Sequence, residues 1–158
     1  MSLNVQAGYV TAREGLHVRA EPSQDAESVA VLPFASKVDG IVHDGWMELP
    51  EGYVSAKYVQ AESPLDGFER MGQWRITAYY ETGKDTASGT YPEINLTAAQ
   101  NTLPFGPEIY IEDLGFWTVQ DRGPASMGTE WCDLYLGDYE DCVRFGECFR
   151  EVWIVKEP

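Results

Sequence analysis

The sequence predicts an all-β protein built from two small barrels. Fifteen glycines and nine prolines are spread over the 158 residues, as expected for a chain that turns often. Short alternations of apolar and polar residues recur between these turns, which is typical of half-buried strands. One short helix is expected over residues 139–145, with Asp138 as its N-cap and Gly146 as its end.

The first predicted domain covers residues 7–61. Five or six short strands, each followed by turn residues such as Asp44-Gly45, indicate a small β-barrel. Residues 62–73 break the periodicity, are polar and contain the turn signals Ser63-Pro64 and Asp66-Gly67. We therefore expect a short linker there, and two domains that touch.

The second predicted domain covers residues 74–156. Its expected strands include residues 75–80, 95–99, 108–112, 117–121, 133–136 and 151–155. A Gly/Ser/Thr loop follows the first of them, and a tight turn with two prolines precedes the third. Six strands and one helix in about 85 residues predict a compact closed barrel.

Residues 116–138 contain the candidate chemistry of the chain. Asp121 ends one predicted strand, Asp133 begins the next, and the loop between them contains glycines and a proline. Burial of a carboxyl group at such a strand edge favours its protonated form, which suits proton transfer. The alternative is that Asp121 and Asp138 are turn or helix-cap residues.

Charge, cysteines and motifs restrict the function classes. A formal net charge of −15 disfavours nucleic acid as a partner and adsorption to an anionic membrane. No apolar run approaches the roughly 18 residues of a membrane-spanning helix, and residues 1–5 do not resemble a signal peptide. Cys142 and Cys148 are close enough in sequence to form a bridge, which leaves Cys132 free. No motif predicts a structural zinc site or a cofactor.

The first domain resembles the bacterial SH3-type domain. The matching segments are LHVRAEPS at 16–23, GW at 45–46, GYVS at 52–55 and YV at 58–59. The resemblance implies a domain that accompanies cell-wall enzymes and either binds wall peptide or docks on a catalytic domain. For Trp46, Tyr53 and Tyr58 we favour packing in the core or rim of the barrel over ligand contact.

The second domain resembles the three-aspartate (3D) domain of bacterial wall-lytic proteins and the barrel of membrane-bound lytic transglycosylases. The matching segments are ITAYY at 76–80, TASG at 86–89, LPFGPEIYIEDLG at 103–115, TVQDRG at 118–123, CDLYLGD at 132–138, FG at 145–146 and VWIV at 152–155. The resemblance implies a six-stranded double-psi β-barrel.

The resemblance also implies the activity and the residues that perform it. The family cleaves the MurNAc–GlcNAc β-1,4 bond of peptidoglycan without water, with one carboxylic acid as acid and then base. Asp133 takes that role in this chain, Asp121 is its orienting or charge-tuning partner, and Asp138 supports the site. Tyr79, Thr86 and Arg122 lie in matching segments and are the expected substrate-binding residues, although core packing is as plausible for Tyr79. No metal or cofactor is required.

Two departures from the family pattern leave alternatives open. The loop after Asp121 is one residue longer and contains Pro124, and the acidic Glu130 replaces the usual basic residue before Asp133. Glu130 either raises the pKa of the acid or marks an inactive relative that binds peptidoglycan. A third alternative is an intracellular enzyme or interaction module on the same kind of barrel.

The favoured hypothesis is a monomeric wall-lytic enzyme that is extracellular or lies in the cell envelope. Its expected partners are the glycan strands and stem peptides of peptidoglycan, with the first domain directing it to the wall. Either the protein is made without a signal peptide, or a signal peptide has been removed before residue 1.

Overall fold

The structure, a computed structural model, describes residues 4–156, and the chain divides into two compact units between Asp66 and Gly67. The first unit contains β1 (Val5–Val10), β2 (Leu16–Arg19), β3 (Ser28–Leu32), β4 (Lys37–His43), β5 (Trp46–Leu49), β6 (Gly52–Ser55) and β7 (Val59–Gln60). The second contains β8 (Glu69–Tyr80), β9 (Thr97–Ala99), β10 (Glu108–Ile111), β11 (Gly115–Asp121), β12 (Trp131–Gly137), α1 (Tyr139–Phe145) and β13 (Cys148–Ile154). Strands predominate in both units, which confirms the all-β prediction.

The first unit is one antiparallel sheet in the order β3-β2-β6-β5-β4-β1-β7. Buried apolar residues alternate with more exposed ones in β2, where Leu16 and Val18 are buried and His17 is exposed. Its core consists of Val10, Leu16, Val18, Val38, Met47 and Val54. The hydrogen-bonded ladder is open, with β3 and β7 at its edges, so hydrogen bonds do not close the small barrel predicted for this unit.

The second unit is a closed six-stranded barrel in the order β10-β11-β9-β12-β8-β13. Parallel pairing joins β11 to β9 and β12 to β8, and the other four neighbouring pairs are antiparallel. Its core includes Trp74, Ile76, Ala98, Ile109, Ile111, Trp117, Val119, Cys132, Leu134 and Val152. Closure leaves this sheet without a free edge, as the sequence predicts for this part of the chain.

The predicted linker over residues 62–73 is wrong in its second half, because β8 begins at Glu69. This part of β8 pairs with β13, and its polar side chains are mostly exposed. Arg70 forms an ion pair with Glu151 at 2.9 Å across the two strands. Glu69, Arg70 and Gln73 leave this part of β8 without an apolar alternation, so its sequence resembles a loop.

The strand predicted over residues 95–99 is shorter than expected and begins at Thr97. Asn95 has a positive φ of 61°. This left-handed conformation is tolerated by asparagine but does not continue a strand.

The disulfide bridge considered for Cys142 and Cys148 is not formed, and Cys132 is also a free thiol. Cys148 opens β13, where it pairs with Ile76 of β8 and packs against the barrel core. Cys142 lies in α1. The requirements of the strand and the helix, rather than a crosslink, therefore set the positions of these two side chains.

The helix α1 has the predicted bounds and the predicted ends. Its N-cap is Asp138, whose Oδ1 accepts hydrogen bonds from the backbone N–H groups of Glu140 at 2.7 Å and Asp141 at 3.3 Å. Gly146 ends it with a φ of 65°. No helix within residues 4–156 has the length and apolar character needed to cross a membrane.

Candidate active site

The two aspartates of the sequence analysis lie on the outer face of the barrel, on either side of β9. Ala99 is the register partner of both Asp121 on β11 and Asp133 on β12, and Asp133 also pairs with Thr77 on β8. We call these four residues, Thr77, Asp133, Ala99 and Asp121, the acid row. Cys132 and Leu134, which flank Asp133, point into the core, so Asp133 faces outward.

An irregularity in β11 brings Asp121 into the acid row. Val119 pairs with Ala98 and lies in the core, but the next register partner, Ala99, pairs with Asp121 instead of Gln120. In a regular strand Asp121 would face the core like Val119, because side chains alternate. The extra residue at this bulge turns the carboxylate outward to the face that carries Asp133.

Asp133 is a half-buried acid whose environment favours its protonated form. Its Oδ1 accepts a hydrogen bond of 2.9 Å from the Thr77 hydroxyl. Burial and, less strongly, the charge of Asp121 raise the pKa of Asp133 to about 6, although the Thr77 hydrogen bond opposes this shift. Within residues 4–156, Oδ2 of Asp133 has no hydrogen-bond partner. A proton on this oxygen is therefore available to a bound molecule.

The Thr77 hydroxyl is itself oriented by a buried tryptophan. Trp131 Nε1 donates to Thr77 Oγ1 at 2.9 Å, so this oxygen accepts from the indole and donates to Asp133. The six-membered ring of Trp131 covers Gly123, in the loop after Asp121. These contacts connect the loop to the acid row through a side chain that is only 2% exposed.

Substitution of Gly123 tests this connection. A Cβ at Gly123 would overlap the ring of Trp131, so Gly123→Ala should displace the indole from Thr77 and lower the free energy of unfolding by about 1–3 kcal/mol. Denaturant unfolding monitored by tryptophan fluorescence measures the change. Gly67→Ala is the control, because a Cβ there meets nothing within 4 Å. Equal free energies of unfolding for the two variants would show that the loop accommodates the added methyl group without loss of stability, and would contradict the connection.

Three hydrogen-bond donors hold the carboxylate of Asp121 in place. Its Oδ2 accepts from the Tyr79 hydroxyl at 3.0 Å, and its Oδ1 accepts from the backbone N–H groups of Ala87 and Arg122, both at 2.9 Å. Burial and the charge of Asp121 raise the pKa of Tyr79, so this phenol stays neutral and acts as a donor. Asp121 therefore fixes Tyr79 and the 86–90 loop while its charge acts on Asp133.

Tyr79 is linked to a second polar group beyond the acid row. Its ring makes an edge contact with that of Tyr135, with centroids 5.3 Å apart. The hydroxyl of Tyr135 donates to Glu81 Oε2 at 2.9 Å, and that oxygen also accepts from the Tyr91 hydroxyl at 2.5 Å. The series Tyr79, Tyr135, Glu81 and Tyr91 thus leads away from the acids along the same face.

Two predicted substrate-binding residues are engaged within the protein. Thr86 is 6% exposed, and its hydroxyl is hydrogen-bonded to Ser88 and Thr90 within its own loop, so it shapes that loop. Arg122 donates to the Gln100 carbonyl at 2.7 Å, and its guanidinium lies 3.9 Å from the ring centroid of Phe105. Its charge is thereby held on the loop after Asp121.

Asp138 and Glu130 lie outside the acid row. The described hydrogen bonds of the Asp138 carboxylate are those that cap α1. Glu130 is exposed, and the carboxylate that raises the pKa of Asp133 is that of Asp121. The alternative in which Glu130 tunes the acid is therefore not supported.

The first unit carries a separate groove of about 670 Å³. Two aromatic residues, Trp46 and Tyr58, line it together with the charged residues Arg13, Glu14, Arg19 and Asp25. Trp46 is half-buried and Tyr58 is 40% exposed, so both belong to the rim and not to the core. Tyr53 is half-buried on β6. The mixture of rings and both charges suits a peptide-like ligand.

The sequence indicates Asp121, Asp133 and Tyr79 as members of the site but does not indicate Thr77, Ala99, Trp131 and Glu81. Strand alternation marks Thr77 as outward-facing, because it lies between the core residue Ile76 and Ala78. No local pattern marks Glu81, whose partners are distant in sequence. Among residues 4–156, no three His, Cys, Asp or Glu side chains are grouped as a metal site would require.

The sequence matches no protein-family model. The features of the molecule that bear on function are therefore the barrel, the acid row and the chemistry that a half-buried carboxylic acid can perform.

Proposed function

We propose that the second unit is a double-psi β-barrel of the 3D type that acts as a lytic transglycosylase on peptidoglycan. The observation that supports this best is Asp133: a half-buried acid with a pKa of about 6, on an outward-facing surface, whose Oδ2 has no hydrogen-bond partner among residues 4–156. Such a group is protonated often enough near neutral pH to donate a proton and basic enough to take one back.

The proposed reaction uses Asp133 twice. Its proton passes to the oxygen of the MurNAc–GlcNAc β-1,4 bond as the bond from that oxygen to C1 of MurNAc breaks. The resulting carboxylate then removes the proton of the C6 hydroxyl, and O6 attacks C1 to form the 1,6-anhydro ring. No water is consumed, and Asp133 ends protonated. Because three donors hold Asp121, it serves as a fixed charge beside the acid and not as a nucleophile.

The first unit is proposed to be a bacterial SH3-type domain that directs the enzyme to the cell wall. Its groove, with Trp46 and Tyr58 at the rim and charges of both signs, suits the stem peptides of peptidoglycan. This assignment places the protein in the cell envelope or outside the cell.

Digestion of purified peptidoglycan tests the activity. We expect the protein to release muropeptides that are one water lighter than the corresponding hydrolysis products, as measured by mass spectrometry. Products of full mass would identify a hydrolase. Binding to peptidoglycan without release of any product would instead support the second candidate, a non-catalytic binding protein that uses the same face.

A further inference from the structure

Tyr91 is an exposed aromatic residue in a fixed position. Its side chain is 54% exposed, yet its hydroxyl donates to Glu81 Oε2 at 2.5 Å. Glu81 is in turn held by the Tyr135 hydroxyl at 2.9 Å and by the backbone N–H of Gly83 at 2.5 Å. The ring is therefore presented to solvent by an anchored polar end, which lowers the entropy lost when a ligand packs on it.

The anchor of Tyr91 is continuous with the acid row. Glu81 joins Tyr91 to Tyr135, Tyr135 contacts Tyr79, and Tyr79 donates to Asp121. Tyr135 is only 4% exposed, so its ring supports the others and is not itself a surface for a ligand. Tyr91 is the exposed end of this series, away from Asp133 along the same face.

The charge state of the anchor suits this role. The Tyr91 hydroxyl above all, with the Gly83 N–H and the Tyr135 hydroxyl, lowers the pKa of Glu81, so its carboxylate stays ionised at neutral and mildly acidic pH. An ionised Glu81 accepts hydrogen bonds from the hydroxyls of Tyr91 and Tyr135 at the same time. The ring of Tyr91 therefore keeps its orientation over the pH range in which Asp133 titrates.

We propose that Tyr91 is a glycan-stacking residue that binds a sugar of the strand distant from the cleaved bond, and that Glu81 is the residue that positions it. This inference rests on the proposed function for the identity of the substrate. The apolar face of a pyranose ring packs on an exposed aromatic ring, and the anchored hydroxyl leaves the face of Tyr91 available. The site then distinguishes glycan strands by their length in addition to their chemistry.

Kinetics on peptidoglycan glycan strands test the inference. Tyr91→Ala should raise KM about five- to tenfold, the effect of one aromatic contact, and leave kcat unchanged, because the lost contact is equal in ground and transition states. Tyr91→Phe retains the ring and should remain within about threefold of wild type. Glu81→Gln should lie between the two. The KM penalty should be smaller on the shortest strand that is cleaved.

Tyr139→Ala is the matched control, because Tyr139 is a 61% exposed tyrosine of the same unit on α1. An unchanged KM for Tyr91→Ala would overturn the inference while leaving the proposed activity intact. Equal KM values for Tyr91→Phe and Tyr91→Ala would assign Tyr91 to loop anchoring alone and would also overturn it.

A binding measurement separates failure of the inference from failure of the proposed function. If wild-type protein releases no anhydro-muropeptides, calorimetry with purified glycan strands replaces the kinetics. Weaker binding by Tyr91→Ala than by Tyr91→Phe would then support the stacking role in a binding protein. Wild-type protein that neither cleaves nor binds glycan strands overturns both proposals.

Discussion

Asp133→Asn is expected to lower the release of anhydro-muropeptides by about 10²- to 10⁴-fold, the range attributed to general acid–base catalysis. Asparagine retains the shape of the side chain and can still accept the Thr77 hydrogen bond, but it has no acidic proton to transfer to the glycosidic oxygen. Initial rates on purified peptidoglycan measure the loss. Asp141→Asn, an exposed aspartate of α1, should retain full activity.

The same substitution should not weaken the fold. Because the folded state raises the pKa of Asp133 from 3.8 to about 6, ionisation of this group destabilises the protein as pH rises through that interval. Asp133→Asn removes the penalty, so its Tm at pH 7 should equal or exceed that of wild type. Full activity of this variant would show that the acid is misassigned, and a much lower Tm would show that Asp133 is structural.

Asp121→Ala is expected to damage both stability and activity. It leaves the Tyr79 hydroxyl and the backbone N–H groups of Ala87 and Arg122 without their acceptor. Loss of these hydrogen bonds to a charged group should lower the free energy of unfolding by about 3 kcal/mol. Activity should fall because Tyr79 and the 86–90 loop are no longer held. Denaturant titration and initial rates measure the two effects.

Asp121→Asn separates the charge of Asp121 from its structural role. The amide oxygen can still accept from the backbone donors, and the Tyr79 hydroxyl can rotate to accept from the amide N–H. Removal of the negative charge should lower the pKa of Asp133. The proposed reaction starts from protonated Asp133, so the expected decline of rate with rising pH, centred near 6 in wild type, should move to lower pH. An unchanged pH profile would show that Asp121 does not act through its charge.

The sequence predicts the barrel well where alternation is strong. In β11, Trp117 and Val119 are buried between less buried neighbours, and in β12 the buried Leu134 adjoins the partly exposed Asp133. The same rule fails for Glu69 and Arg70, which are polar and exposed although their register partners on β13, Ile154 and Trp153, are apolar. A pattern in one strand cannot report what lies opposite it.

The sequence predicts several residues of the candidate site but not their arrangement. Alternation alone sends Asp121 to the core side with Val119, and only the bulge at Gln120 turns it outward. The hydrogen bonds from Trp131 to Thr77 and from Thr77 to Asp133 also cannot be predicted from local sequence, because Thr77 lies 56 positions from Asp133. The place of Arg122 in a matching segment predicts contact with substrate, whereas its contacts with Gln100 and Phe105 depend on tertiary packing that the sequence does not show.

The two parallel pairings of the barrel have a consequence for the order in which the site appears during synthesis and folding. The Thr77–Asp133 hydrogen bond joins residues 56 positions apart, and the Tyr79–Asp121 hydrogen bond joins residues 42 positions apart. Both require that β8 and β9 have paired with β12 and β11, which are synthesised after them. Pairings between such distant segments form slowly, since a long loop must close first. A nascent chain therefore stays without its assembled acid row until β12 has been made and paired. After dilution from denaturant, activity should therefore recover in one late kinetic phase that coincides with closure of the barrel.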